Sequence, residues 1–182
     1  KLKKIGLSVF LTREPGGSVG AEKIRNIILT GKKNKFSITT DTLLYLAARN
    51  EHIENKLVPL IKKKKIIICD RFTDSTLAYQ VYAKGVDKNL VDNIHKKILK
   101  KIKPDLTIIL TVSLTKAFLR IKKRKKLNRY DKFSKAFYKK AQNAFIKIAK
   151  KNKKKYLVID NTSDSNNVEK IIFKNFVKLL NK

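Results

Sequence analysis

The chain has 182 residues, of which 42% are hydrophobic and 8% aromatic, and it carries a formal net charge of +31. This length and apolar content fit one globular domain, and the sequence contains no run of 18 or more apolar residues that could span a membrane. The first residues lack the apolar core of a secretory signal, and the single cysteine, Cys69, excludes an intrachain disulfide, so the composition favours a cytoplasmic protein.

The positive charge has two interpretations. A charge of this size is typical of proteins that bind nucleic acid. The lysines, however, are spread along the whole chain and occur together with many Asn and Ile residues, which is the combination that AT-rich codons produce. We therefore attribute most of the charge to composition and disfavour nucleic-acid binding.

Arginine is rare in this lysine-rich chain, and each Arg therefore indicates a position where a planar guanidinium matters. The sequence contains only seven: Arg13, Arg25, Arg49, Arg71, Arg120, Arg124 and Arg129. We take these residues as the candidates for contacts with anions.

The first half of the chain is predicted to alternate strands and helices. In chain order we expect a strand at 7–12, a turn at 15–17, a helix containing Ile24, Ile27 and Ile28, a helix over 39–63, a strand at 66–69 and a short helix to Ala83. Pro59 favours a kink or a break in the long helix. The run 66–69 is typical of a strand buried on both faces of a parallel sheet. Gly85 fits the end of the short helix.

The second half continues the same alternation. We expect a helix over 87–101, a strand at 106–110, a basic helix over 114–126, an amphipathic helix over 133–151, a strand at 156–160 and a last helix from about 165. Strand–helix alternation throughout predicts a parallel sheet with right-handed crossovers and helices on both faces. No internal repeat or linker divides the sequence, so residues 1–182 form a single α/β domain.

Two groups of polar residues follow predicted strands, at the edge where such sheets bind ligands. The first is Thr12-Arg13-Glu14 and the second is Asp70-Arg71. An acid at this edge can hold a magnesium ion, usually through water, and an adjacent Arg can bind a phosphate. A helix cap with a salt bridge is the alternative interpretation of the Asp-Arg pair.

The helix after Asp70-Arg71 carries further polar groups. Thr76, Tyr79 and Gln80 share one face by three- and four-residue spacing. Two hydrogen-bonding side chains and one aromatic ring on one face suit a nucleoside, whereas an amphipathic helix with a polar side is the simpler alternative.

These motifs together resemble a known family. Thr12-Arg13-Glu14-Pro15-Gly16-Gly17 after one strand and the segment 70–80 after the next are similar to the paired signatures of bacterial thymidylate kinases. The segments 45–49, 120–129 and 159–162 fall in the family's order and spacing, so the resemblance covers essentially the whole chain. It implies a P-loop-kinase-like α/β fold with a parallel sheet of five strands in the family, helices on both faces and a basic lid over about 120–132.

The resemblance also implies a function. Members transfer the γ-phosphoryl group of ATP to dTMP, giving dTDP in the synthesis of dTTP, and they use Mg²⁺ and are usually homodimers. Another nucleoside monophosphate kinase is disfavoured, because the Tyr45/Arg49 and Thr76/Gln80 pairs suit a pyrimidine with a carbonyl at position four.

Several residues acquire roles from the resemblance alone. Arg71 would bind the phosphate of dTMP, with Asp70 near magnesium. Arg13, Glu14 and Arg25 would line the acceptor pocket, and Tyr79 would exclude a ribose 2′-hydroxyl. Tyr45 would stack on thymine, and Arg49 would donate to a thymine carbonyl. Thr76 and Gln80 would read the base edge. Arg120, Arg124 and Arg129 lie in the lid, and one of them would neutralise charge on the transferring phosphoryl group.

One family feature is missing from the sequence. Family members begin with a strand, a glycine-rich Gly-x-x-Gly-x-Gly-Lys-[Ser/Thr]-type loop and a helix, and no segment here matches that loop. We expect that roughly 30 residues are absent, about one strand–loop–helix unit. The chain would then carry the acceptor site and the lid of a truncated enzyme without the ATP phosphate loop. An inactive, degenerate paralogue and a basic nucleic-acid-binding protein remain the alternatives.

Overall fold

The computed structural model describes residues 2–125, 127–163 and 166–180, and the predicted start of the last helix at Ser165 lies outside these ranges. No helix in the described ranges has the length and apolar character needed to cross a membrane.

Four short parallel strands lie within two residues of the predicted positions, which confirms the strand assignment. They are β1 (Val9–Arg13), β2 (Ile66–Asp70), β3 (Thr107–Thr111) and β4 (Tyr156–Asp160). β1 pairs with β2, with Leu11 opposite Ile68, and β3 pairs with β4, with Ile109 opposite Val158. In the part of the chain that the structure describes, the strands form two separate two-stranded sheets.

The expectation that the segment 66–69 is buried on both faces is wrong. Ile68 is 41% exposed, its partner Leu11 is 65% exposed, and Leu110 of β3 is 49% exposed. Strands of a parallel sheet are normally covered on both faces. Side chains project from the two faces of a sheet, so this exposure means that the described part of the chain leaves these faces incompletely covered.

The helices follow the predicted order along the chain. They are α1 (Val19–Leu29), α2 (Ile38–His52), α3 (Val58–Lys62), α4 (Thr73–Thr76), α5 (Lys88–Ile98), α6 (Leu114–Lys122), α7 (Lys135–Lys150) and α8 (Asn166–Leu180). Two short 3₁₀ helices span Leu2–Ile5 and Arg129–Lys132. α1 packs on α2, and α7 packs on the helical segment Leu77–Ala83 that follows α4.

The long helix predicted over 39–63 changes its winding before Pro59. A π-helical turn, Ile53–Leu57, joins α2 to α3, and the amide of Val58 donates to the carbonyl of Ile53. In a regular α-helix the ring of Pro59 would clash with the carbonyl four residues earlier. The wider π turn precedes the proline, which occupies the first turn of α3, where its missing N–H costs no hydrogen bond.

A second π-helical segment carries candidate ligand contacts. Leu77–Ala83 continues α4 and ends before Gly85, whose φ of +80° confirms the predicted stop. Within it Gln80 is 2% exposed, while Tyr79 is half-buried. π turns often occur at functional sites, and this one places Gln80 towards α2 and the lid.

Candidate functional site

The two predicted motifs meet at the carboxyl edge of the first sheet. In the register of the sheet Arg13 lies opposite Asp70, and the amide of Glu14 donates to the carbonyl of Asp70 over 2.9 Å. The predicted juxtaposition of the two strand ends is therefore confirmed.

Glu14 is the centre of a buried polar network, with only 5% of its surface exposed. Its Oε2 accepts from Nε of Arg49 at 2.7 Å, and its Oε1 lies 3.1 Å from Nδ1 of His52. Nε2 of the same histidine lies 2.7 Å from the hydroxyl of Thr12. Both carboxylate oxygens of Glu14 thus have partners within the protein.

Arg49 connects the two motifs. It is 3% exposed, and its Nη1 donates to the hydroxyl of Thr76 at 2.8 Å and to Nε2 of His95 at 2.7 Å. Because Arg can only donate, Nε2 of His95 must be the acceptor and its ring must be neutral. Burial, together with the charge of Arg49, lowers the pKa of His95 to about 4. These bonds occupy Nε and Nη1 of Arg49.

A second buried network joins α2 to the predicted lid, the segment 120–132. Tyr130, in the lid, donates its hydroxyl proton to Oδ2 of Asp41 at 2.7 Å. Its oxygen accepts from Nζ of Lys84 at 3.0 Å and from Nε2 of Gln80 at 3.3 Å. Its ring meets that of Tyr45 edge to face, with the centroids 5.8 Å apart. Two predicted base-binding residues, Tyr45 and Gln80, therefore contact one lid residue.

Asp41 is the acceptor for this second network. It is 1% exposed and accepts from Lys84 at 2.5 Å and from Arg129. Burial opposes ionisation, yet hydrogen bonds from Lys84, Tyr130 and Arg129 hold the pKa of Asp41 below its usual value. The carboxylate is therefore ionised and holds the 3₁₀ helix of the lid against α2.

The three lid arginines lie in different environments. Arg129 is 2% exposed, stacks over Phe36 at 5.7 Å and has two further nitrogens, Nε and Nη1, that are buried without a hydrogen-bond partner in the described residues. Arg124 is exposed and pairs with Asp131 at 2.7 Å. Arg120 donates to the carbonyl of Asn161 at 3.0 Å.

The candidate phosphate-binding arginines lie near the strand ends. Arg71 has a left-handed φ of +68°, and its guanidinium lies over the ring of Tyr79 at 5.1 Å. A non-glycine residue adopts this φ at a cost, and such conformations concentrate at functional sites. Arg25 donates to the carbonyl of Pro15 at 2.6 Å, and Arg13 pairs with Glu22 at 3.0 Å.

Asp70 is exposed at the end of β2. In the described ranges, no group of three or more His, Cys, Asp and Glu side chains is placed to hold a metal ion. A single carboxylate fits an Mg²⁺ ion whose other ligands are water and phosphate oxygens. The neighbouring Cys69 is half-buried, and burial raises its pKa to about 12, so its thiol is unsuited to act as a nucleophile.

Sequence reasoning missed five members of these networks: Asp41, His52, Lys84, His95 and Tyr130. A signal existed for some of them. The chain has only two histidines, both of which lie in the Glu14–Arg49 network, and Asp41 lies one turn before Tyr45 on the same helix. Lys84 gave no signal, because it is one of many lysines.

Comparison with known proteins identifies the family of this chain. The family model described as Thymidylate kinase matches residues 1–172. A thymidylate kinase of Mycoplasma capricolum is 38% identical over 170 residues, covering 92% of this chain and 80% of the relative. One from a Geobacillus species is 40% identical over 161 residues, covering 87% and 77%. The crystal structure of thymidylate kinase from Ehrlichia chaffeensis superposes with a TM-score of 0.72 at 31% identity, covering 93% of this chain and 80% of that one. With matches that span nearly the whole sequence and the fold, this chain belongs to the thymidylate kinase family.

Proposed function

We propose that this protein transfers a phosphoryl group from ATP to dTMP, and that dTMP binds between α2 and the segment Leu77–Ala83. The observation that carries the proposal is Arg49. Its guanidinium is held by Glu14 at 2.7 Å and bonds Thr76 at 2.8 Å, so residues from both motifs meet around one buried cation.

The thymine ring would be recognised by groups already fixed in place. Nη2 of Arg49, which takes no part in the bonds to Glu14, Thr76 and His95, would donate to the carbonyl at position four. Tyr45 offers a π face for stacking, and burial raises the pKa of its hydroxyl, so the ring stays neutral. Thr76 and Gln80 would line the edge of the base.

The sugar and phosphate would lie towards the strand ends. Tyr79 would contact the deoxyribose, and Arg71, above its ring, would bind the phosphate, with Arg13 and Arg25 adding positive charge. Asp70 would hold Mg²⁺ through water. The bound metal would supply charge neutralisation between the phosphates.

Phosphoryl transfer would then rest on positioning and charge neutralisation. Arg124, which is exposed, and Arg120 are our candidates for the arginine that approaches the transferring group. Arg129 differs, because it is buried against Asp41, and we assign it a role in positioning the lid.

Replacing Arg71 with Ala tests the phosphate assignment. A charged hydrogen bond contributes about 1.5–3 kcal/mol, so we expect dTMP to bind roughly tenfold to a hundredfold more weakly to the variant. Thymidine, which lacks the phosphate, should bind equally well to both proteins. Isothermal titration calorimetry with both ligands measures this, and Lys153→Ala, which removes an exposed charge elsewhere, is the control. Unchanged dTMP affinity in Arg71→Ala would overturn the assignment.

We also propose that the complete protein contains a further strand and a glycine-rich phosphate loop that this sequence lacks. The split into two sheets and the exposure of Leu11, Ile68 and Leu110 support this proposal. The alternative is an inactive paralogue. Sequencing the DNA upstream, in frame, separates the two, because only the first predicts an encoded glycine-rich loop there.

A homodimer in the cytoplasm is the assembly we propose. Support comes from the family resemblance and from exposed apolar side chains on neighbouring helices, Ile27 of α1 at 45% and Leu43 of α2 at 45%. Analytical ultracentrifugation of the complete protein should give twice the monomer mass. A monomer at micromolar concentration would contradict the proposal.

A further inference from the structure

Gln80 has a side chain whose orientation decides what it can recognise. Its amide is buried, with 2% of the residue exposed, and Nε2 lies 3.3 Å from the hydroxyl of Tyr130. Turning the amide by half a rotation fills the same space but exchanges the donor and the acceptor. A neighbour that can only accept a hydrogen bond would hold Nε2 towards itself, and a neighbour that can only donate would hold Oε1 towards itself.

Tyr130 is such a neighbour, because its single proton is already used. Oδ2 of the ionised Asp41 lies 2.7 Å from the hydroxyl and can only accept. Nζ of Lys84, at 3.0 Å, can only donate. The Tyr130 proton therefore points to Asp41, and the remaining capacity of its oxygen is to accept. Gln80 must present Nε2 to Tyr130, and its Oε1 is turned the other way.

The residues that contact the Tyr130 hydroxyl have further contacts of their own. Asp41 also binds Arg129, the preceding residue of the same 3₁₀ helix, and Nζ of Lys84 lies 4.8 Å from the centre of the Tyr130 ring. Burial, with the nearby Tyr45 and Asp41, raises the pKa of the Tyr130 hydroxyl, so it keeps its proton at neutral pH. Asp41, which can only accept, and Lys84, which can only donate, thus favour one arrangement of hydrogens. The hydroxyl of Tyr45, which also bonds that of Tyr130, can donate or accept and follows this arrangement.

We propose that Tyr130, oriented by Asp41 and Lys84, is a positioning residue that sets base specificity by fixing Gln80. This inference depends on the proposed dTMP site. With Oε1 of Gln80 presented as an acceptor, the pocket matches a pyrimidine that carries N3–H, such as thymine. Cytosine has an acceptor at N3, which would face another acceptor. A site built to pair one hydrogen-bonding pattern rejects the mismatched one strongly, because buried groups are left unpaired.

The position of Tyr130 also links specificity to the lid. The residue belongs to the 3₁₀ helix Arg129–Lys132, whereas Gln80 lies on the π-helical segment beside the base site. Gln80 is therefore oriented only when this part of the lid is packed on α2.

Replacing Tyr130 with Phe tests the proposal, since the ring remains and only the hydroxyl is lost. We expect selectivity, the ratio of the dissociation constants for dCMP and dTMP, to fall about tenfold, through weaker dTMP binding and stronger dCMP binding. Calorimetry on the full chain measures both constants. The matched control is Tyr156→Phe, which also removes a tyrosine hydrogen bond to a carboxylate, that of Asp74 at 2.9 Å, but touches neither Gln80 nor Tyr130. It should leave the ratio unchanged.

A double variant isolates the route of the effect. If Tyr130 acts through Gln80, adding Tyr130→Phe to Gln80→Ala should change the selectivity no further. An additive loss in the double variant would overturn the proposal. So would a folded Tyr130→Phe protein that keeps its selectivity, or one that loses affinity for both nucleotides equally, because the latter is the result of a purely structural role.

A measurement without nucleotide separates this inference from the proposed function. The side-chain amide protons of Gln80, identified in NMR spectra by their loss in Gln80→Ala, should exchange slowly in the parent chain and at least about tenfold faster in Tyr130→Phe. Equal exchange rates in the parent chain and in Tyr130→Phe would refute the role of Tyr130 but not the proposed dTMP site. Failure of the parent chain to bind dTMP, with the amide protected, would instead refute the dTMP site and the specificity that we derive from it.

Discussion

At the scale of single residues, Glu14 has contacts that its position in the motif did not indicate. The resemblance placed it in the lining of the acceptor pocket. In the structure both of its carboxylate oxygens face protein groups, Arg49 at 2.7 Å and His52 at 3.1 Å. We infer that Glu14 acts by orienting Arg49.

Replacing Glu14 with Gln should therefore reduce stability. Removing one partner of a buried ion pair leaves the other charge uncompensated, which typically costs about 3–5 kcal/mol. Urea unfolding measures the loss. Changing Glu54, which forms an exposed pair with Lys100 at 2.6 Å, to Gln is the control and should have little effect. Because Arg49→Met also removes the unpaired charge, the double variant should recover part of the stability, and no recovery would contradict the ion-pair explanation.

His95 predicts how stability depends on pH. Its pKa is lowered to about 4 in the folded protein, chiefly by burial, from an ordinary value of 6.5. Between these pH values the unfolded chain binds a proton at His95 more readily than the folded protein does. The stabilisation that neutral His95 provides is therefore complete above pH 6.5 and is lost as the pH falls towards 4. The expected loss is roughly 3 kcal/mol.

Urea unfolding at pH 7 and pH 4.5 measures this loss. His95→Gln keeps an acceptor for Arg49 but cannot titrate, so its stability should fall less over the same interval. If both proteins lose the same unfolding free energy between pH 7 and pH 4.5, His95 does not contribute to the pH dependence of stability.

At the scale of elements, one buried carboxylate joins the predicted lid to α2. Asp41 on α2 binds Arg129 and Tyr130 of the lid and also Lys84. Asp41→Asn should loosen this attachment, since a neutral amide cannot compensate two buried cations.

Hydrogen exchange measures the attachment of the lid. The amides of Tyr130 and Asp131, which bond Asn128 in the folded lid, should exchange at least about tenfold faster in Asp41→Asn. Asp92→Asn, which removes an exposed pair with Lys88, is the control and should leave them unchanged. Protection that persists in Asp41→Asn would show that other contacts hold the lid.

Hydrophobic periodicity located the regular elements but missed their irregular parts. The ranges of the strands and of α5 and α7 follow from apolar spacing, which local sequence determines. The π-helical segments Ile53–Leu57 and Leu77–Ala83 do not, because one extra residue in a turn barely alters the apolar pattern. Only Pro59 hinted at the first of them.

At the scale of the whole molecule, the charge of +31 requires its own test. A nucleic-acid-binding protein would bind DNA with a steep salt dependence, and dTMP would not compete with that binding. We expect only weak DNA binding that disappears near 0.2 M salt, because the lysines are dispersed. Filter binding at two salt concentrations, with and without dTMP, measures this. Tight DNA binding that survives at the higher salt concentration would favour the alternative function.

The sequence by itself determined the strands, most of the helices, the two motifs at the strand ends and, through them, the family. These features depend on neighbours in the chain, where spacing of two or about 3.6 residues dictates which side chains share a face. The tertiary structure alone decided that Glu14 pairs with Arg49, that Arg129 is buried and that the hydroxyl of Tyr130 lies beside the amide of Gln80. Asp41 and Tyr130 are 89 residues apart, and a contact at that separation depends on how whole elements pack, which no local pattern encodes.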